Sequence, residues 1–297
     1  MMMLVACLMM ALTATAQGVK ISPKMEKGMK KVYQIETTIN AAGKEVKVTA
    51  KQTFEVVDCL ADGYLLTSMT EDFKSNADDA DLTSQLMTMS MQLMNGVGPT
   101  LKADADGKVT GITNFAEIKQ KALESLDVTL NRIFEKHPEA AQMVPREMLV
   151  NQVSGQLTEA SVVNSMLEAS SVLALNGKTV ANGAQESFTN QQGLKMQRMY
   201  FLTKKDGSAV TTSAKMNMTK DELKEMIIAQ VTATMPDQVE MIKQNIDMMM
   251  GQMTFDATEK ANYELGADGW VRMLTLEDST DAMGQKNSST TTIRLVE

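Results

Sequence analysis

Apolar and polar residues alternate with a period of two along several separate stretches of this chain. Val46, Val48, Ala50, Phe54 and Val56 are interleaved with Lys47, Thr49, Lys51, Thr53 and Glu55, and Tyr33, Ile35 and Ile39 with Gln34, Glu36 and Thr38. Successive side chains of a strand point to opposite faces, so this pattern predicts antiparallel strands with one dry and one wet face. Four Asp-Gly pairs separate such stretches: Asp62-Gly63, Asp106-Gly107, Asp206-Gly207 and Asp268-Gly269. Asp and Gly both tolerate the positive φ of a tight turn, so each pair predicts a hairpin, and Ala42-Gly43 predicts another. Stretches 64–69, 261–265 and 270–276 supply neighbouring strands.

Between the hairpins the period lengthens to that of a helix. From Phe115 onward, Ile118, Ala122, Leu123, Leu126, Leu130, Ile133 and Phe134 fall on one face, and His137-Pro138 stops the run. Asn114 with Glu117, and Thr219 with Glu222, have the spacing of N-terminal caps. Pro145 is expected at the first position of a further helix. Another is expected over 159–175, closed by Asn176-Gly177. The apolar stripe over 221–253 is interrupted by Pro236, which divides it into two helices or kinks it. The fold class predicted is α+β: a large, mainly antiparallel, curved, half-barrel-like sheet built from hairpins and packed against five or six helices. It is expected as a single domain over 17–297, with a weak division at most near 177–184.

Methionine content sharpens this picture, with 28 Met against seven Phe, four Tyr and one Trp. In 81–95, Leu82, Leu86, Met89 and Leu93 form one stripe, and Met87, Met91 and Met94 form a second. Faces this broad are enclosed on several sides or border a cavity, and flexible thioethers suit adaptable apolar surfaces. The candidate ligand-lining residues are therefore Met87, Met91, Met94, Met226, Val231, Met235, Ile242, Ile246, Met249 and Met253. In the competing reading methionine fills a solid core in place of Leu and Phe.

A net charge of −8 and a pI near 4.9, with lysines alternating with acids, leave no basic stripe for nucleic acid. Residues 1–16 carry no charge and end in Ala14-Thr15-Ala16, which predicts a secretory signal cleaved after Ala16. Leu4-Val5-Ala6-Cys7 has the form of a lipid-attachment box, but the apolar run continues through Leu12, which favours cleavage over lipidation at Cys7. That segment is too short to span a bilayer, and no second apolar span follows. The protein is expected to be exported, to the periplasm or cell surface. Cys59, left without a disulfide partner, is expected as a small buried hydrophobe at a strand end.

Few residues present reactive chemistry. His137 is the single histidine and has no cysteine or spaced acid beside it, so neither zinc nor general-base work is indicated. Asp72, Asp78, Asp79 and Asp81 lack the register of a calcium loop, and Asp104 with Asp106 reads as a hairpin turn. No phosphate loop, dinucleotide fingerprint or nucleophile elbow is present. Met87, Met89, Met91 and Met94 suggest soft ligands for cuprous copper, yet residues two apart on a helix point in different directions. No catalytic residue, metal or cofactor is assigned. A carboxylate enzyme would need two or more Asp or Glu converging in one pocket.

The early hairpins, the segment from Leu101 through Asp104, Asp106 and Gly107 to Ile112, and the closing run through Tyr263, Gly269, Trp270, Thr292 and Leu295 resemble a family of exported Gram-negative proteins carrying a domain of unknown function. The layout is more loosely similar to lipoprotein-localisation-factor proteins, whose half-barrels hold acyl chains under covering helices. That resemblance implies a non-catalytic carrier of an apolar ligand such as an acyl chain or lipid. The alternative is a structural envelope protein that contacts a protein partner and holds no ligand.

Overall fold

The computed structural model describes residues 18–41, 43–79, 82–138, 145–190, 192–234, 239–252, 255–282 and 284–297. A short β1 (Val19–Lys20) precedes three long strands, β2 (Lys30–Ala41), β3 (Lys44–Leu60) and β4 (Gly63–Ser75). A 3-10 turn at Asn76–Asp79 leads into α1 (Leu82–Gln92), followed by the hairpin of β5 (Thr100–Asp104) and β6 (Val109–Ile112). Three helices come next: α2 (Phe115–Lys136), α3 (Arg146–Gln156) and α4 (Glu159–Leu167). Then follow β7 (Thr179–Val180), β8 (Gln185–Thr189), β9 (Lys195–Leu202) and β10 (Ala209–Met216). The chain closes with α5 (Lys220–Thr234), α6 (Val239–Gln252), β11 (Phe255–Leu265), β12 (Val271–Ala282) and β13 (Gln285–Leu295).

Eleven strands form one open antiparallel sheet in the order β6-β5-β4-β3-β2-β13-β12-β11-β10-β9-β8, and β1 pairs separately with β7. All four Asp-Gly pairs lie in hairpin connections, as their turn chemistry requires. The step that joins the halves is β2 against β13, with Ile35 opposite Ile293 and Tyr33 opposite Leu295. The expected α+β architecture, a large curved sheet with helices packed on it, is the one observed. Six α-helices are present among the described residues.

The concave face holds the core. Tyr33, Phe54, Leu66, Leu101, Tyr263, Trp270 and Leu274 are almost fully buried there. Tyr33 and Phe54 meet edge to face at 6.0 Å, the geometry that aromatic quadrupoles favour. The polar ends of the large side chains are satisfied: Tyr33 Oη donates to Val271 O at 2.9 Å, and Trp270 Nε1 to Lys24 O at 2.8 Å. Burial pushes the Tyr33 hydroxyl well above its ordinary pKa, so it stays a donor.

The lower half of the concavity is filled by a segment at 168–177 that is neither helix nor strand. Ala169, Val172, Leu173, Ala174 and Leu175 are each at most 3% exposed. Helix was expected through 175, but α4 stops at Leu167 and Glu168 turns extended. The Ser171 hydroxyl accepts the Leu173 N–H, the local competition by which serine turns a chain out of a helix. Tyr263 Oη, donating to Ala169 O at 2.9 Å, pins this plug to the sheet.

Three further local expectations need correction. Asn114 precedes α2 without capping it, because its side chain accepts from Thr100 N–H and donates to Gly98 O. Pro145 stands one position before α3 rather than inside its first turn. Cys59 is exposed, since β3 runs past the core at this end beyond a register shift at Val56/Asp58. The Thr219–Glu222 cap is present in both directions, with Thr219 N–H to Glu222 Oε2 at 2.8 Å and Glu222 N–H to Thr219 Oγ1 at 3.2 Å.

Candidate functional site

Antiparallel register sets inward-facing side chains in rows across the sheet, and the chemistry of these rows changes with height. One row reads Ala50, Ile35, Ile293, Leu274, Tyr263, Val210 and Leu202 from β3 to β9, and it is apolar apart from the tyrosine hydroxyl. Two residues further along each strand the row becomes Val48, Thr37, Thr291, Leu276, Ala261, Thr212 and Tyr200. The next is Val46, Ile39, Ser289, Asp278, Glu259, Ala214, Arg198 and Glu186, from β3 to β8. An apolar floor thus gives way to hydroxyls and then to charge.

A cleft of about 420 Å³ opens at this level, within the size range of small-molecule sites. Its floor includes Thr37, Leu276, Asp278, Glu259, Ala257, Asn287, Ser289 and Thr291. Met91 of α1 and Ile39 bound one side, Asn190, Gln192 and Met196 the other, and Glu168 and Ser170 of the plug form its lower end. Among the described residues the lining contains no Lys, Arg or His. Among the described residues, helices pack on both flanks of the concavity and supply these walls. On one flank, Met91 packs with Val46, Val48 and Ile39. On the other, α5 and α6 bury Leu223 and Ile246 with Met196, Ala214 and Ala257. A second hollow of about 560 Å³ lies on the far side of Met196, lined by Phe188, Met218, Lys195 and Glu222. Its acid already serves the α5 cap and an ion pair with Lys195 at 2.6 Å.

The charged row is an ordered network. Arg198, only 4% exposed, crosses the small Ala214 to reach Glu259 at 3.0 Å on the strand beyond, and stacks on the Phe188 ring at 4.0 Å. Glu186 receives Lys178 at 2.7 Å and the Tyr200 hydroxyl. Burial pushes the Glu186 pKa up, but the hydrogen bonds from Lys178 and Tyr200 outweigh it and hold the carboxyl below its ordinary value. Asp278 faces Glu259 directly across β11–β12, where like charges destabilise a sheet. Its carboxylate accepts a hydrogen bond from the Ser289 hydroxyl at 3.3 Å, and among the described residues no Lys, Arg or His lies within ion-pair reach. Burial first, and the Glu259 charge second, push the Asp278 pKa up to about 6. Among the described residues no three His, Cys, Asp or Glu gather as a metal site.

Of the lining residues expected from sequence, Met91 borders this cleft. Met94 packs against the central core, Met226 and Ile246 belong to the cluster behind Met196, and Val231 is buried on α5. Met235 and Met253, like residues 1–16 where a signal was expected, lie outside the described residues, as do the side chains of Met87, Ile242 and Met249. The methionines of the 81–95 run diverge: Met89 enters the α1–α2–α3 cluster, Met91 the β2–β3 cluster and Met94 the central core. The polar floor was missed by sequence reasoning. Its signal was present, since inward positions of β12 run Leu274, Leu276, Asp278, Thr280 and those of β13 run Ile293, Thr291, Ser289, Asn287.

No protein-family model matches the chain, and no curated protein matches it. Among solved structures, a lipovitellin described by its lipid–protein interactions aligns with 92% of this chain at 7% identity and a TM-score of 0.38. The alignment spans 26% of that protein, and a likeness of this degree carries no argument about this one. Among the described residues no helix is long and apolar enough to cross a membrane.

Proposed function

We propose that this is an exported, non-catalytic binding protein that holds a small amphipathic molecule in the concave cleft. The observation that carries the reading is the composition of the cleft wall. Ile39, Met91, Met196, Ala257 and Leu276 offer apolar surface, interspersed with hydrogen-bonding groups of Thr37, Thr291, Ser289, Asn287 and Asp278. Convergent polar groups on an otherwise apolar concavity are the usual make-up of a ligand site. A thioether wall adapts to chains of different shape. The reading refines the acyl-carrier expectation: the ligand needs a polar end as well as an apolar one.

A second reading has its own support. Leu223, Met226 and Ile246 close with Met196, Ala214 and Ala257 into a packed cluster, as expected of a structural protein in which methionine is filler. Native mass spectrometry of protein purified from its own host separates the two. A co-purifying adduct of lipid or metabolite size is expected. A clean apo mass, together with no thermal shift from short-chain amphiphiles, would leave the structural reading standing.

A further inference from the structure

We propose that the cleft selects a cationic ligand, holding a protonated amine at Asp278 with the attached apolar chain against Met91 and Ile39. The inference rests on the cleft being a binding site, and it adds the charge of what is bound.

Charge balance in the concavity is the starting point. Glu259 is matched by Arg198, and Glu186 by Lys178, whereas Asp278 has, among the described residues, the Ser289 hydroxyl alone. Within this charged row three carboxylates thus face two cations among the described residues, and the unmatched one borders the cleft. Burying an unpaired charge is costly, and a cation arriving from solvent removes the imbalance. The cavity wall gives independent support. Glu168, Glu259 and Asp278 are its only ionisable side chains among the described residues, so an anionic head would meet no counter-charge. An ammonium carries three N–H donors and no acceptor. Asp278, Ser289 and the neighbouring Asn287, Thr291 and Thr280 present acceptors on the same stretch of floor.

Protonation of Asp278 modulates this. The groups facing it are Glu259 from β11, backed by Arg198 from β9, the neutral Ser289 and Asn287 from β13, Glu168 from the plug, and the neutral Met91, Asn190 and Gln192 from the side walls. With its pKa pushed to about 6, Asp278 is ionised at neutral pH and takes up a proton just below. A cation that requires the ionised form is therefore released as pH falls through that range.

The test compares octylammonium, octanoate and octanol on the full chain by isothermal titration. Near neutral pH, octylammonium is expected to bind about tenfold or more tightly than octanoate, with octanol between them. Asp278→Asn is expected to bring amine and alcohol affinities to within about threefold of each other. On the wild type, the amine's advantage is expected to shrink severalfold at a pH about one unit below 6. Octanol binding with no preference for the amine, or an amine preference unaltered in Asp278→Asn, overturns the charge assignment and leaves the binding reading intact. Binding of none of the three overturns both. The pH series needs no variant, so the inference stays falsifiable if Asp278→Asn fails to fold.

Discussion

Asp278 stands where two requirements of the fold oppose each other. Its neighbours in the strand, Leu274 and Leu276, are core residues, yet its carboxyl is part-buried and opposite another carboxyl. A carboxyl whose pKa is higher folded than unfolded favours folding when protonated. The contribution is complete below the ordinary value of 3.8 and is lost as pH rises through about 6. At neutral pH the ionised group therefore opposes folding, by at most about 3 kcal/mol, reduced to roughly 1–2 kcal/mol by the water that reaches the cleft. Asp278→Asn is expected to raise the unfolding free energy measured in urea by that amount near neutral pH, with the gain vanishing below about pH 4. A variant less stable than wild type at neutral pH would contradict this account. Residues that oppose stability in a consistent fold are where function is expected. This one was hidden in the sequence, because Asp278 counts as a floor residue only once Leu274 and Leu276 are known to face inward.

At the scale of elements, local chemistry was legible wherever turn or cap residues decide the outcome. Asp-Gly pairs act through backbone φ and the Thr219–Glu222 cap through contacts three residues apart, so neither depends on distant partners. The plug was not legible, because its conformation is decided by what surrounds it. Ala169 to Leu175 has the apolar content of a helix, but the concavity takes the segment as turns tied to Tyr263, 94 residues away in sequence. Replacing Tyr263 by Phe leaves the buried Ala169 carbonyl unpartnered and is expected to cost about 1–2 kcal/mol. Leu173→Ala removes a fully buried side chain and is expected to cost about 2–5 kcal/mol. Chemical denaturation measures both losses. If Tyr263→Phe proves neutral, the plug is held by burial alone.

In the whole molecule, the pairing of β2 with β13 brings together residues some 250 positions apart, such as Thr37 and Thr291, whose hydroxyls meet at 3.0 Å. Pairings between strands consecutive in sequence fix each half of the sheet, by hairpins except at β4–β5 and β10–β11, where helices intervene. Only the β2–β13 step completes the cleft floor, placing Ile39 and Thr37 beside Ser289 and Thr291. No local signal specifies it, which is why the site could not be assembled from sequence even where its strands were recognised. The arrangement predicts an uneven distribution of stability. Strands β2, β13 and β12 are paired on both sides over an apolar floor, whereas α5 and α6 rest on one small cluster at the sheet's flank. Amides of the central strands are therefore expected to exchange with solvent only through global opening, and those of α5 and α6 through cheaper local opening. A ligand in the cleft touches Met91, Asn190 and Gln192 as well as the floor. Saturating octylammonium should slow exchange at the end of α1 and around 190–194, while leaving the β1–β7 pair unchanged. Equal slowing everywhere would mean the amine stabilises the fold without occupying the cleft. Slowing confined to α5 and α6 would move the site to the hollow behind Met196, where Lys195 and Glu222 already neutralise each other and no preference for a cation is expected.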